Sequence, residues 1–162
     1  MAVRVEPARK GDCAAIARIY NEGIEDRIAT FETRLRSARE IEGWLDGRHP
    51  VVVVRDGGVV LAFAACSEYR SRVCYRDIAE FSVYVAREAR GRGLGALALD
   101  GLAGAAVAAG LRKLVSRVFV ENVASRRLLA RRGFREVGVY RRHGRLDGVW
   151  RYVVIVERLL DE

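Results

Sequence analysis

Residues 90 to 95 read RGRGLG, between an alternating apolar run, AEFSVYVAR, and an alanine-rich stretch, ALALDGLAGAAVAAG. A loop that enters a helix through glycines presents unpaired backbone N–H groups at the positive end of the helix dipole, a ready site for an anion. Glycine lets the backbone approach a phosphate with no side chain between. Arg90 and Arg92 add cationic donors at the rim. The chemistry implied is the binding of a phosphorylated ligand. Upstream, Glu80, Ser82 and Tyr84 alternate with Phe81, Val83 and Val85. That makes Glu80 either an ordinary exposed strand carboxylate or a proton acceptor beside whatever the loop holds.

Three phosphate-binding patterns compete for the loop. A P-loop needs Gly-Lys-Ser/Thr, which does not occur in this chain. Gly91, Gly93 and Ala96 satisfy G-x-G-x-x-[GA], with Glu121 at the end of the next strand where a ribose-binding acid would stand. That dinucleotide fingerprint ordinarily opens a run of βαβ units, however, and here an antiparallel hairpin follows soon after. The third pattern is [QR]-x-x-G-x-[GA], which Arg90, Gly93 and Gly95 match.

The elements that must position these residues follow from periodicity. VRVE (3 to 6) reads as a strand, and residues 12 to 26 as a helix with Ala15, Ile16, Ile19, Tyr20 and Gly23 on one face. Ser37 and Glu40 form a capping box that opens a second helix through Ile41, Trp44 and Leu45. VVVVRD (51 to 56) and VVLAFAACSEY (59 to 69) are strands joined by the turn Gly57-Gly58. The polar loop RSRVCYRD leads to the strand AEFSVYVA, the glycine loop and a helix from about 94 to 109 that Gly110 ends. Gly101 and Gly104 lower the propensity of that helix, which points to close packing against a sheet. KLVSRVFVE (113 to 121) is a strand with Leu114, Ser116, Val118 and Val120 on one face. A short helix ending at Gly133 follows. VGVYRRHG and WRYVVIVERLL are closing strands around the turn RLDG. The expected fold is a single α+β domain over residues 1 to 162 with a mostly antiparallel sheet.

Composition bounds the function. The chain has 162 residues, 51% of them hydrophobic, enough for one core without disulfides or metal. Cys13, Cys66 and Cys74 are odd in number and lack C-x-x-C spacing, so neither a disulfide framework nor a zinc site is expected and a cytoplasmic location is. No signal peptide and no membrane span is read. The net charge of +8 and pI near 10 suit an anionic partner, or a solvated basic surface in a chain whose only lysines are Lys10 and Lys113. A basic nucleic-acid-binding module would share that charge, but no helix-turn-helix, RNP or KH signature accompanies it.

The region from Ile78 to Leu160 resembles the GCN5-related N-acetyltransferases (GNAT). SVYV precedes the Arg90–Gly95 loop, and EN-x-x-S-x-x-L (121 to 128) and RRGFREVG follow in the order that family shows. TFET (30 to 33), YRSRVCYR (69 to 76), AEFSVYV (79 to 85) and VYRRHGRLDGVWRYVVIVERLL (139 to 160) resemble the phosphinothricin and arsinothricin N-acetyltransferase branch. The resemblance implies a GNAT fold of about seven strands and four helices. It also implies acetyl-CoA as cosubstrate, no metal, a homodimer, and resistance through acetylation of the α-amino group of a glutamate-like amino acid such as phosphinothricin, arsinothricin or methionine sulfoximine. Related enzymes modify other amines or protein N-termini.

Residue roles carry over position by position. Glu80 falls where the family places its catalytic glutamate, which would take the amine's proton in direct transfer through a tetrahedral intermediate. Val83 and Val85 would line the pantetheine arm with their backbones. Arg90, Gly91, Arg92, Gly93, Leu94 and Gly95 would hold the pyrophosphate. Asn122 and Ser125 match cofactor contacts, although Asn122 reads equally as a helix N-cap. Arg70 and Arg72, with Tyr75 beside them, and Phe31 with Glu32, are the candidate substrate contacts; the guanidinium fork suits a ligand with two acidic groups. The chain also departs from the pattern. Phe134 stands where many members carry a tyrosine that reprotonates the thiolate, leaving Tyr84 and Tyr140 as substitutes. Arg151 replaces a histidine found in some phosphinothricin enzymes. His49 and His143 read as surface or structural residues, and Trp150, Tyr152 and residues 153 to 156 as core or dimer seam.

Overall fold

The structure, a computed structural model, describes residues 2–160. Valine-rich runs that stay buried at every position mark strands covered on both faces. Val51–Val54 and Val60–Cys66 do so, and they belong to β2 (Val51–Asp56) and β3 (Val59–Glu68). Their hairpin turns at Gly57 and Gly58, both at positive φ, as a two-residue glycine turn requires.

The remaining elements in chain order are β1 (Val3–Pro7), α1 (Cys13–Asp26), α2 (Ala38–Glu42), β4 (Ile78–Val85), α3 (Leu94–Ala108), β5 (Lys113–Phe119), α4 (Val123–Arg131), β6 (Arg135–Tyr140), β7 (Arg145–Leu146), β8 (Val149–Trp150) and β9 (Val153–Leu159). Seven strands form one mixed sheet in the order β1-β2-β3-β4-β5-β9-β6. Only β4 and β5 run parallel. This is the expected α+β fold with its four helices.

Helices cover both faces of the sheet. The Tyr84 ring lies over Gly23 of α1, whereas the neighbouring Val85 meets Gly95 of α3. Successive strand residues point to opposite faces, so α1 and α3 are on opposite sides. Gly101 is where α3 comes closest: a Cβ there would collide with Val5 and touch Val52. Gly104 has nothing within 4 Å of such a Cβ, so close packing explains the first glycine and not the second.

Several boundaries differ from the periodicity: β5 stops at Phe119 and β6 at Tyr140, short of the strands read to 121 and 144. The capping box forms, with Ser37 Oγ accepting from the Glu40 N–H, but α2 ends at Glu42; Trp44 follows in a turn and packs edge-on to Tyr20 at 5.3 Å. RLDG does not join the closing strands directly. Asp147 and Gly148 take the positive φ of a tight turn between β7 and β8, a separate small hairpin inserted between β6 and β9. An Asp-Gly pair supplies turn geometry wherever it stands and does not say which strands it serves.

Candidate active site

The site is built on a parting of strands. β4 and β5 pair only at Ile78↔Lys113, Ala79↔Leu114 and Glu80↔Val115. Beyond that, β4 stays with β3 and β5 stays with β9, so a wedge opens between them. Inside it, the Ser116 hydroxyl donates to the Phe81 carbonyl at 2.9 Å. Backbone groups of alternate residues face the same edge of a strand. Since the Phe81 carbonyl faces β5, so do the backbone groups of Val83 and Val85, and the Val85 carbonyl accepts from Arg90 Nε at 3.4 Å.

A groove of about 490 Å³ occupies the wedge and runs to the glycine loop, lined by Val83, Val85, Arg90, Gly91, Gly93, Gly95, Asn122 and Ser125 among others. Gly91 and Gly93 sit at φ 81° and 79°, where a side chain is strained. Gly95 is close-packed instead, since a Cβ would stand 3.0 Å from the end of the Leu128 side chain. The loop delivers the chain into α3, whose first-turn N–H groups lack helical partners. Its arginines are held by carboxylates: Arg90 pairs with Asp26 at 2.8 Å and Arg92 with Asp56 at 2.9 Å. Arg87 also binds Asp26, and its hydrogen bond, aided by Arg90 against the effect of burial, holds the Asp26 carboxyl below the ordinary range. The arrangement suits an elongated ligand with a phosphate at the loop.

A second, larger cleft of about 810 Å³ lies on the other side, lined by Phe31, Glu32, Glu80, Cys66, Phe119 and His143 among others. The two hollows share Ala29, Phe81, Ser82, Tyr84, Ser116 and Arg117, and meet where the strands part. Glu80 lines the larger cleft beside this shared wall, next in sequence to Phe81. Its Oε1 accepts from Arg117 Nη2 at 3.2 Å, with the two side chains 33% and 48% exposed. A pair this open is worth at most about 1 kcal/mol and exchanges partners readily. At the cleft floor, burial pushes the Cys66 thiol up to about 12, so it stays protonated and is no nucleophile at neutral pH.

The sequence comparisons bear on this geometry. The model of the Acetyltransferase (GNAT) family matches residues 15–134. This chain belongs to the GNAT acetyltransferases. It is 35% identical to the phosphinothricin N-acetyltransferase of Streptomyces coelicolor, over 98% of this chain and 96% of that one. It is 32% identical to the L-methionine sulfoximine/L-methionine sulfone acetyltransferase of Salmonella typhimurium, over 96% and 93%. A Salmonella typhimurium acetyltransferase solved with its cofactor acetyl-CoA superimposes with a TM-score of 0.94 at 31% identity, covering 100% of this chain and 96% of that one.

In this acetyltransferase the remaining residues singled out from sequence are distributed as follows. Arg90, Gly91, Gly93, Leu94 and Gly95 line the groove, while Arg92 is turned to Asp56. Asn122 does cap α4, accepting from the Ser125 N–H at 3.3 Å, and also lines the groove. Phe31 and Glu32 line the larger cleft with Glu80; the Phe31 ring packs edge-on to Phe119 at 4.8 Å. Arg70 and Arg72 line an adjoining groove of about 550 Å³ that shares Arg48 and Glu68 with the larger cleft. Tyr75 lines neither and packs on Tyr69.

The tyrosine substitutes separate in the same way. Tyr84 lines both hollows, but burial pushes its hydroxyl up, which makes it a reluctant acid. Tyr140 is exposed on β6 beside His143 and lines neither. Phe134 is buried against Phe81, ring centroids 4.7 Å apart. Arg151 pairs with Glu121 and lies over the Phe119 ring.

His49 and His143, read as surface or structural, both line the larger cleft, and His143 is exposed. Three site residues escaped the sequence reading. Ser116 left a trace as a hydroxyl on an otherwise apolar strand face, and Asp26 as an anion at the unfavourable end of α1. Arg117 left none.

Proposed function

We propose that this enzyme transfers the acetyl group of acetyl-CoA to the α-amino group of a small glutamate-like amino acid, of the phosphinothricin, arsinothricin or methionine sulfoximine type. The observation that carries the reading is Glu80 in the larger cleft, paired with Arg117 on the wall the two hollows share, where a group held in the wedge and an amine entering the larger cleft would meet. The names of the relatives support the acceptor class. Such a reaction protects a cell from an antimetabolite, and the proposed setting is a cytoplasmic homodimer. An exposed apolar margin of Val137, Val139, Tyr140, Val149, Trp150 and Tyr152 supports the dimer.

The groove fits acetyl-CoA in chemistry. Positive-φ glycines and the open end of α3 suit a pyrophosphate, and the free β4 edge at Val83 and Val85 suits an amide-bearing arm. When bound, the thioester supplies the activated acetyl group. The protein's own task is then proton management. An amine reaches the site as an ammonium, and Glu80 accepts its proton so that the nitrogen lone pair is free. Backbone N–H groups on the β4 edge are placed to hydrogen-bond a carbonyl oxygen as charge develops on it. Cys66 is unsuited to carry the acetyl group, which supports direct transfer. Arg70 and Arg72 in the adjoining groove are suited to the acceptor's distal acidic group.

The test is release of coenzyme A thiol from acetyl-CoA with phosphinothricin, arsinothricin, methionine sulfoximine, glutamate, polyamines and short peptides, for wild type, Glu80→Gln and Arg72→Ala. Turnover confined to the glutamate analogues, reduced about 10²- to 10⁴-fold in Glu80→Gln and with a raised amine KM in Arg72→Ala, is expected. Turnover of polyamines or peptides instead would remove the acceptor assignment. Full activity in Glu80→Gln would remove the base.

A further inference from the structure

The Glu80–Arg117 pair offers one negative and one positive group side by side, open to the acceptor cleft. An α-amino acid carries one positive and one negative group side by side, an ammonium and a carboxylate on the same carbon. We infer that Arg117 is the α-carboxylate receptor. The acceptor inserts into the ion pair by exchange, ammonium onto Glu80 and carboxylate onto Arg117. This deepens the proposed function and rests on it.

The placement of Arg117 supports the exchange. It lies on β5, just past the last parallel pair Glu80↔Val115, so it faces Glu80 across the opening of the wedge. Alternation along β5 puts Arg117 on the same face as Phe119, which lines the acceptor cleft and packs on Phe31. Among the described residues its only ion-pair partner is Glu80, through one nitrogen. A guanidinium carries five N–H donors in a planar fork, so most remain to receive a carboxylate bidentately. Arg48 also lines the cleft, at its border with the groove of Arg70 and Arg72, and two arginines elsewhere are already paired. Arg36 is held by Glu32 at 2.7 Å and Arg151 is paired with Glu121.

The exchange also gives the pair a purpose before and after binding. With the cleft empty, the two charges neutralise each other near a low-polarity wedge. When the acceptor's carboxylate takes Arg117, Glu80 is released from its cation and meets the ammonium whose proton it must accept. An amine without an α-carboxylate can contact Glu80 but leaves Arg117 competing for it. Arg117 therefore selects free α-amino acids over amides, peptides with internal carbonyls at that position, and simple amines.

The experiment compares L-phosphinothricin with its α-carboxamide, both as acetyl acceptors and as ligands by calorimetry with coenzyme A present, for wild type, Arg117→Gln and Arg117→Lys. Circular dichroism checks that the variants are folded. The wild type is expected to favour the free acid by about 10- to 100-fold, the range of a charge-assisted contact. In Arg117→Gln the gap between acid and amide closes, chiefly through KM for the acid, and Arg117→Lys restores part of it. A purely structural role would lower turnover of acid and amide alike and leave their ratio intact. An unchanged ratio in Arg117→Gln overturns the inference while the proposed function stands. Equal use of acid and amide by the wild type overturns it as well. If the wild type neither binds nor acetylates either compound, while acetyl-CoA still binds, the acceptor reading falls and this inference with it.

Discussion

The Ser116 hydroxyl donates to the Phe81 carbonyl at 2.9 Å across the gap where β4 leaves β5. A backbone carbonyl that loses its ladder partner needs another donor, and a serine on the opposite strand supplies it without closing the wedge. Ser116→Ala removes that donor. The loss expected is about 1 kcal/mol, seen as a melting temperature about 2–4 °C lower. An unchanged melting temperature would mean that solvent satisfies the carbonyl equally well.

Gly93 holds the entry to α3 at φ 79° with open space around it, so an added methyl clashes with nothing but strains the backbone. Gly93→Ala is expected to cost about 1–2 kcal/mol of stability and to raise KM for acetyl-CoA more than KM for the amine. Denaturant titration and initial rates with each substrate varied separately would check both. A rise confined to the amine would contradict the assignment of this loop to the cofactor.

The two interior glycines of α3 should respond in opposite directions. Gly104→Ala meets nothing and gains helix propensity, for a stabilisation of about 0.5–1 kcal/mol. Gly101→Ala drives a methyl into Val5 and should destabilise by about 1–3 kcal/mol through overpacking. Urea unfolding of the two variants side by side distinguishes them, and equal effects would show that α3 does not rest on β1 as described.

Acid stability should report on the segment that leads into β2. Hydrogen bonds from Arg34 and the Ser37 N–H hold the Glu40 carboxyl down at about 2. Burial opposes ionisation of Asp46, but donors from His49 and Arg48 outweigh it and also hold that carboxyl at about 2. Both groups have folded-state values below their ordinary ones, 4.5 and 3.8. Their contribution is therefore present above the ordinary values and is lost as pH falls toward about 2. Urea midpoints measured from pH 5 downward should fall less steeply for Asp46→Asn than for wild type. Parallel slopes would show that these donors do not bind the carboxylate more tightly in the folded state.

Local chemistry was legible in the chain. Gly57-Gly58, the Ser37–Glu40 capping box and the alternation around Glu80 each depend on neighbours a few residues apart, and each formed where read. RGRGLG announced a glycine-built helix entry for the same reason, because the positive φ values of Gly91 and Gly93 belong to the loop itself. Only the tertiary structure decided what meets across the sheet. β4 and β5 come together through a parallel crossover whose register no local pattern encodes, so neither the Ser116–Phe81 contact nor the Glu80–Arg117 pair could be read in advance. The same long-range packing put Arg70 and Arg72 in an adjoining groove while Phe31, far off in sequence, came to stand in the cleft with Glu80. Spacing along the chain fixes periodicity and turns, whereas the partners of a side chain depend on which strand the sheet sets beside it.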